Sequence, residues 1–182
     1  YLAWVKKQGG QGSVGIPAPA SVPEFLVKLL GEKNGLNLLS VPYRGSAPMI
    51  ADMLGNQISA GVGSVPDLIV NHQQKKLRIV AVMGQQRQAV LPEVPTFAEL
   101  GITGFEDLPY YGLFAPVGTP PAVVERFSNA LAGVIAQPVV KARLTELGLS
   151  VGMMSSAQFA ARERAYSAAW ARIIKSGGFQ PQ

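Results

Sequence analysis

Two short segments of this chain join an apolar run to a helical pattern through small residues, and they constrain the fold more than any other feature. The first is residues 41–48, with the sequence VPYRGSAP, and the second is residues 63–67, with the sequence GSVPD. In α/β proteins such strand-to-helix turns direct bare backbone N–H groups at an anion. The two segments therefore predict an α/β protein with a carboxylate-binding cleft.

The periodicity of apolar residues alternates between strand-like and helix-like from residue 1 to about residue 115. It predicts helices at residues 1–7, 21–33, 46–54, 65–73 and 96–100, and strands at residues 13–16, 36–41, 57–62 and 77–83. A βα order of this kind implies a mostly parallel sheet flanked by helices. We therefore expect residues 1–115 to form an α/β domain.

The second part of the chain has a different character. An apolar strand is predicted at residues 110–115, followed by helices at residues 120–136, 138–147 and 155–176 and a stop at Gly177-Gly178. Proline at the first helical position and glycine after the last one are typical helix boundaries. We expect residues 116–182 to form a helical C-terminal segment.

Four predicted helices begin with a polar residue followed three positions later by an acid or amide. The pairs are Ser21 with Glu24, Ser64 with Asp67, Thr96 with Glu99, and Ser155 with Gln158. This spacing fits or approximates the reciprocal capping box. A cap and a bound anion compete for the same N–H donors, so each of these starts serves one role at the expense of the other.

Composition indicates a well-packed globular protein without a membrane-spanning helix. Hydrophobic residues make up 48% of the 182 residues and charged residues 15%, and no apolar run is long enough to cross a bilayer. The net charge of +5 comes from scattered basic residues without interleaved aromatics, which argues against nucleic acid as a partner. The first residue is Tyr1, so the signal segment of an exported protein would not be visible here.

The residues that usually carry catalysis are sparse. The chain has one histidine, His72, and no cysteine, which predicts no metal site, no cofactor and no catalytic residue. The glycines around Ser64 fit neither a nucleophile elbow nor a dinucleotide fingerprint. An α/β enzyme is therefore the least favoured function for this chain. It would require His72 to reach Ser46 or Ser64 and act as a base there.

Small-residue turns follow three of the predicted strands, at residues 15–21, 43–46 and 63–64. In an open parallel sheet such turns gather at the carboxyl edge of the strands, where ligands bind. Structural turns alone explain them equally well. Tyr110 and Tyr111 are adjacent in a predicted strand, so one should face the core and the other a cleft.

Four ordered motifs resemble the Bug family, the extracytoplasmic solute receptors of tripartite tricarboxylate transporters. They are residues 41–48 (VPYRGSAP), 77–82 (LRIVAV), 91–101 (LPEVPTFAELG) and 111–120 (YGLFAPVGTP). The resemblance implies a two-lobed, periplasmic-binding-protein fold that closes on a small carboxylate. It also implies a periplasmic, non-enzymatic receptor that works with membrane transporter subunits.

By this resemblance, residues 1–115 are similar to the second lobe, and residues 116–182 are similar to the helices that complete the first lobe. Members of the family are longer, and the sheet of the first lobe has no counterpart here. The resemblance implies that a small organic acid, either a carboxylate or an amino-acid-like solute, binds to backbone amides and hydroxyl groups. The expected ligand-binding residues are Ala18, Ala20, Ser21, Tyr43, Gly45, Ser46, Gly63 and Ser64.

The chain departs from the family pattern at both binding turns. Pro17, Pro19 and Pro23 have no N–H to donate, and Glu24 adds a negative charge at the start of a helix. Gly63 and Ser64 stand where the family usually has an acidic residue and an asparagine. The alternative hypothesis is an interaction protein that forms a homodimer through an uncovered face between the lobes, because helices that normally pack on the first-lobe sheet would leave an apolar patch exposed without it.

Overall fold

The structure is a computed structural model that describes residues 1–106 and 108–176. Asp107 and the predicted stop at Gly177-Gly178 lie outside the described residues. The elements in chain order are α1 (Leu2–Lys7), β1 (Gln11–Ile16), α2 (Val22–Asn34), β2 (Asn37–Pro42), α3 (Ser46–Leu54), α4 (Val65–Gln73), a short 3-10 helix (Ala98–Leu100), α5 (Pro121–Ile135), α6 (Pro138–Glu146) and α7 (Ser156–Ser176).

Strands β1 and β2 form the parallel pair at the centre of the first part of the chain. They pair in register from Gln11 opposite Asn37 to Ile16 opposite Pro42, and α2 is the crossover that connects them. Val14 and Ile16 of β1 are buried and pack with Val27 of α2, which explains why this face of the strand is apolar. The predicted α/β class is confirmed.

Helix α2 ends where the sequence predicts. Gly35 follows its last residue with a φ of 61°, a left-handed conformation that glycine adopts without steric cost. The N–H of Leu36 then donates to Gly31 O at 2.9 Å, which closes the helix and starts β2. This stop sets the register of β2 beside β1.

The predicted strand at residues 57–62 is only partly correct. Gly61 forms a parallel bridge with Gly15, and Gly15 N–H donates to Ala60 O while Val62 N–H donates to Gly15 O, both at 2.9 Å. Residues 60–62 therefore lie on the side of β1 opposite to β2. The preceding residues close the end of α3 instead, because Gln57 N–H donates to Asp52 O at 2.8 Å.

The predicted strand at residues 77–83 is wrong. Only Val82 pairs, in a bridge with Thr96, through Val82 N–H to Pro95 O at 3.0 Å and Phe97 N–H to Val82 O at 3.1 Å. The partner segment contains Pro92 and Pro95, which have no N–H, so it cannot continue a ladder of hydrogen bonds. Val82 is still buried, in a cluster with Ile69, Leu91 and Val94.

Helix α3 lies against the sheet through its methionines. Met49 has no exposed surface. A Cβ atom built on Gly15 would lie 2.8 Å from Met49 Cγ and 2.6 Å from Ile58 Cδ1, and one built on Gly61 would lie 2.7 Å from Met53 Sδ. A side chain at either position would force these neighbours to move, so glycine allows the helix to approach the strands this closely.

The predicted strand at residues 110–115 is also wrong, since this segment pairs with no strand among the described residues. Tyr110 and Tyr111 nevertheless differ in their surroundings, as expected. The Tyr110 ring packs edge-on against Phe159 and Tyr166 of α7, with centroids 5.2 Å apart in both cases, whereas Tyr111 is 72% exposed. The segment is held by α7 rather than by a sheet.

The helical tail, which is the described chain from residue 116 to 176, contacts the preceding α/β part through aromatic rings. Trp170 of α7 is buried and lies 6.2 Å from the ring of Phe25 in α2, and Arg162 lies over the Tyr110 ring at 5.4 Å. Trp4 of α1, by contrast, is 48% exposed. Of the two tryptophans, only Trp170 therefore packs between the two parts of the chain.

None of the helices in residues 1–106 and 108–176 is both long and apolar enough to cross a membrane. Several apolar side chains of the tail are nevertheless exposed, among them Val123 and Phe127 of α5 at 54% and 59%. They face a wide hollow between the tail and the α/β part.

Candidate functional site

Three strand-to-helix turns meet at one edge of the sheet. The turn after β2 lies beside the turn after β1, because Tyr43 N–H donates to Ile16 O and Gly45 N–H donates to Pro17 O, both at 2.8 Å. The turn that starts α4 joins them through a hydrogen bond of 2.7 Å between Ser46 and Asp67. The predicted gathering of these turns at the carboxyl edge of the strands is therefore correct.

The turn between β1 and α2 is occupied by a carboxylate of the protein itself. The N–H of Ala20 donates to Glu24 Oε2 at 2.6 Å, and the Ser21 hydroxyl donates to Ala18 O at 2.6 Å. Ala20 has a φ of 51°, unusual for a residue with a side chain. Two of the donors expected to face a ligand are thus used inside the turn.

The turn between β2 and α3 uses its predicted donors in the same way. The Tyr43 hydroxyl donates to Asp52 Oδ2 at 2.7 Å, and this hydrogen bond is the largest cause that raises the pKa of Tyr43. Gly45 precedes α3 with a φ of 95°, which favours glycine. Its N–H is the one that donates to Pro17 O.

Asp67 links the starts of α3 and α4. Its Oδ2 atom accepts hydrogen bonds of 2.7 Å from the hydroxyls of both Ser46 and Ser64. Asp67 itself is exposed, and the two serines are half-buried. The spacing of three residues between Ser64 and Asp67 predicted Asp67 only as the acid of a capping box. That spacing was the one sequence signal for its contact with Ser64.

Backbone donors remain at this edge. Within the described residues, the N–H groups of Ala18, Ser21, Ser46, Gly63 and Ser64 donate to no acceptor of the protein. The structure thus differs from expectation in one respect: the hydroxyls of the predicted site donate to acceptors of the protein, while several of its backbone amides have no acceptor among the described residues. Amides at a helix start are suited to an anion.

A hollow of about 2140 Å³ adjoins this edge, between the α/β part and the tail. Gly63, Ser64 and Asp67 line it, and so do the apolar residues of α5; the other six predicted residues do not. Pockets that bind small molecules usually have volumes of about 300 to 1,000 Å³. The hollow is therefore too wide and open to enclose a small solute by itself.

Two of the four predicted capping boxes form. Thr96 N–H donates to Glu99 Oε2 at 2.8 Å and Glu99 N–H donates to Thr96 Oγ1 at 3.2 Å, and Ser155 and Gln158 make the same exchange at 3.0 and 3.3 Å. The prediction is wrong for Ser21 and Ser64, because neither hydroxyl caps its helix. The exceptions are the two starts at the candidate site.

His72 has a structural role. Its Nδ1 atom accepts from Ile79 N–H at 3.1 Å, so Nε2 carries the proton that it donates to Glu93 Oε1 at 2.9 Å. The hydrogen bond to His72 is the largest cause that lowers the pKa of Glu93. His72 lies eight residues beyond Ser64 on the same helix, about 12 Å along its axis, so it cannot act as its base.

The other strongly paired carboxylate also lies outside the site. Glu99 forms an ion pair of 2.9 Å with Arg87, and the side-chain hydrogen bond from Arg87 is the largest cause that lowers the pKa of Glu99. Across residues 1–106 and 108–176, no group of three or more histidine, aspartate and glutamate side chains is arranged to hold a metal ion. The chemistry of the described site is hydrogen bonding by main-chain amides and carboxylates.

The family is decided by a match over nearly the whole chain. A sequence model of the family described as tripartite tricarboxylate transporter family receptor matches residues 1–179. The chain belongs to this receptor family. The resemblance to the Bug proteins that the four motifs indicate is confirmed.

Known proteins with a similar sequence or structure agree with this assignment. A UPF0065 protein in the tcbD-tcbE intergenic region of Pseudomonas sp. (strain P51) is 36% identical over 147 residues, which is 80% of this chain and 44% of the relative. The structure of the periplasmic binding protein BugD covers 100% of this chain with a TM-score of 0.87 at 28% identity. The R. palustris protein Rpa4515, solved with adipate, covers 100% with a TM-score of 0.89 at 24% identity and supports the fold alone.

The match spans only part of each relative. It includes 62% of the BugD chain, 60% of the Rpa4515 chain and 44% of the Pseudomonas protein. The periplasmic-binding-protein fold of the matched part is confirmed by these structures.

Proposed function

We propose that this protein is a solute-binding receptor module that captures a small organic acid for a tripartite tricarboxylate transporter. The observation that carries the proposal is the family match over residues 1–179. It is supported by the three turns that meet at one sheet edge and leave backbone amides without a protein acceptor. The module acts in the periplasm, uses no cofactor and performs no catalysis.

The ligand-binding edge in this proposal consists of the eight residues expected from the sequence. Its anion donors are the N–H groups of Ala18, Ser21, Ser46, Gly63 and Ser64, because the N–H groups of the other three, Ala20, Tyr43 and Gly45, have acceptors in the protein. Residues 1–115 supply this edge as a second-lobe-like domain, and residues 116–182 supply the helices that border the hollow. Membrane subunits of the transporter are the proposed partners.

Ligand-induced thermal stabilisation tests the receptor proposal. A ligand that binds only the folded state stabilises it by about 2.7 kcal/mol at a hundredfold excess over Kd. The panel should contain dicarboxylates of four to six carbons, their monoamides, and amino acids, with the inorganic salt of each counterion as the control. A reproducible rise in Tm with at least one solute supports the proposal, and no rise with any of them contradicts it.

A second candidate function is a protein–protein interaction through the hollow. The observation that favours it is the set of exposed apolar side chains around this space: Tyr111, Leu113, Phe114, Val123 and Phe127 are all more than half exposed and all line it. Contiguous apolar surface of this kind is usually covered by a partner. In this hypothesis a second copy of the chain covers it in a homodimer.

Light scattering coupled to size exclusion separates the two candidates. A dimer that dissociates when Phe127 is replaced by Ser, but not when Val139 of α6 is, supports the interaction hypothesis. Val139 is a matched control because it is 73% exposed and does not line the hollow. A monomer that binds a solute supports the receptor alone.

A further inference from the structure

The hydroxyl groups of the candidate site share one property: each donates its proton within the protein. Ser21 donates to Ala18 O, Tyr43 to Asp52, and both Ser46 and Ser64 to Asp67, over distances of 2.6 to 2.7 Å. A hydroxyl has a single proton to donate and two lone pairs to accept with. A ligand that approaches these side chains therefore meets acceptors.

Hydrogen-bond acceptors are most concentrated at the starts of α3 and α4, where Asp67 adds its carboxylate to the hydroxyl oxygens of Ser46 and Ser64. Its carboxylate is exposed and lines the hollow, and it accepts from two half-buried serines, so the cluster carries a negative charge and two hydroxyl oxygens with open lone pairs. A ligand carboxylate placed against it would meet a like charge and find no hydroxyl donor. An ammonium or amide nitrogen would find several acceptors instead.

Hydrogen-bond donors lie close to Asp67 in the sequence. The backbone N–H groups of Gly63 and Ser64 lie within four residues of Asp67 and have no protein acceptor among the described residues. Arg44, which is exposed, lies in the turn that leads to Ser46. Donors for one carboxylate and acceptors for one nitrogen are thus present at the same sheet edge.

We propose that Asp67, held by Ser46 and Ser64, determines specificity by selecting an organic acid whose second polar group is a hydrogen-bond donor. The solute class is then a monocarboxylate that carries an amino or carboxamide group, in preference to a dicarboxylate. This inference rests on the proposed receptor function and narrows its substrate class.

Matched ligand pairs test the inference by isothermal titration calorimetry. The probes are succinate with succinamate and adipate with adipamate, which differ only in one terminal group. The wild-type protein is expected to bind the better monoamide at least tenfold more tightly than its dicarboxylate. The Asp67→Asn variant removes the charge, and its preference is expected to fall to within about threefold.

Two further variants keep this result interpretable. Asp67→Glu retains the charge and an acceptor, so it should retain the preference for the monoamide. Glu163→Gln removes one negative charge from α7, at a residue that does not line the hollow, and should leave both affinities unchanged. A circular dichroism melt of each variant establishes that it is folded before titration.

The outcomes of these titrations distinguish failure of the specificity inference from failure of the receptor function. A wild-type protein that binds dicarboxylates as tightly as monoamides, or a preference that persists in Asp67→Asn, overturns the specificity inference and leaves the receptor function standing. A protein that binds no carboxylate, monoamide or amino acid contradicts the receptor function, and the specificity inference falls with it.

Discussion

The backbone N–H of Ala20 donates to the carboxylate of Glu24 at 2.6 Å, at the place where a solute-binding turn would offer that N–H to a ligand. Glu24 is in the first turn of α2, where a negative charge interacts favourably with the helix dipole. The side chain therefore acts as an internal counterpart of a ligand carboxylate. Its removal should change what the turn can bind.

The first prediction concerns this internal carboxylate. Glu24→Ala frees the Ala20 N–H and removes a negative charge, so carboxylate affinity measured by calorimetry should rise about tenfold, which corresponds to about 1.4 kcal/mol. Glu32→Ala is the matched control, because it makes the same change near the other end of α2. Equal affinities in wild type and Glu24→Ala would show that Glu24 does not compete with the ligand.

The second prediction concerns the contact between the tail and the α/β part. Trp170→Ala removes a buried ring from between Phe25 and Tyr166, so the free energy of unfolding in urea should fall by about 3 to 5 kcal/mol. Trp4→Ala removes the same side chain from a half-exposed position and should cost less than about 1.5 kcal/mol. Similar losses in the two variants would contradict this account of the tail.

The third prediction concerns the approach of α3 to the sheet. Gly15→Ala places a methyl group 2.6 Å from Ile58 Cδ1 and 2.8 Å from Met49 Cγ, and this overpacking should lower the free energy of unfolding by about 1 to 3 kcal/mol. Gly133→Ala in α5 meets nothing within 4 Å and should raise it by about 0.5 to 1 kcal/mol. Opposite signs for the two variants are the required result in chemical denaturation.

The fourth prediction is a dependence of stability on pH. The ion pair with Arg87 lowers the pKa of Glu99 below its usual value of 4.5. The folded state therefore gains stability from this pair above the pKa of the unfolded chain, and loses it as the pH falls through the lower folded pKa. Glu99→Gln should flatten the fall of Tm between about pH 5 and pH 3.

The control for the pH experiment is Glu125→Gln, which removes the same charge from α5, where no ion pair involving Glu125 is found among residues 1–106 and 108–176. The melting curve of this variant against pH should keep the slope of the wild type. If Glu99→Gln and Glu125→Gln behave alike, the Arg87 pair does not contribute to acid sensitivity.

The helices were predictable from sequence because their signals are local. Helices α3 and α4 begin and end where the pattern of apolar residues, Gly55 and Ser64 indicate, and Gly35 ends α2 in the left-handed conformation. Helix periodicity and end residues depend on neighbours a few positions apart. Such features can be read from a single sequence.

The strands were harder to predict because a strand requires a partner that lies far away in the chain. Residues 77–83 have the apolar pattern of a strand, yet only Val82 pairs, since the partner segment around Thr96 is interrupted by prolines. Residues 110–115 also have the apolar pattern of a strand, yet Tyr110 packs on α7 and the segment joins no sheet among the described residues. Pattern alone cannot reveal whether a partner with free backbone groups is present.

The meeting of the three turns was predictable from sequence, but the hydrogen bonds made by their side chains were not. The turns near Gly15, Gly45 and Gly63 gather at one edge as expected. The hydrogen bond between Ser46 and Asp67 joins residues 21 positions apart, and sequence spacing carries no signal for it. Sequence spacing also gives no signal that Glu24 accepts a hydrogen bond from the N–H of Ala20 rather than from that of Ser21.

The most direct test of the central claim is a titration followed by amide chemical shifts in ¹⁵N-labelled protein. With a monoamide such as succinamate, the account predicts saturable shifts concentrated at the sheet edge, in the N–H groups of Ala18, Ser21, Ser46, Gly63 and Ser64, with small changes in α5 to α7. Shifts confined to the tail helices, or no saturable shift with any organic acid, would contradict it.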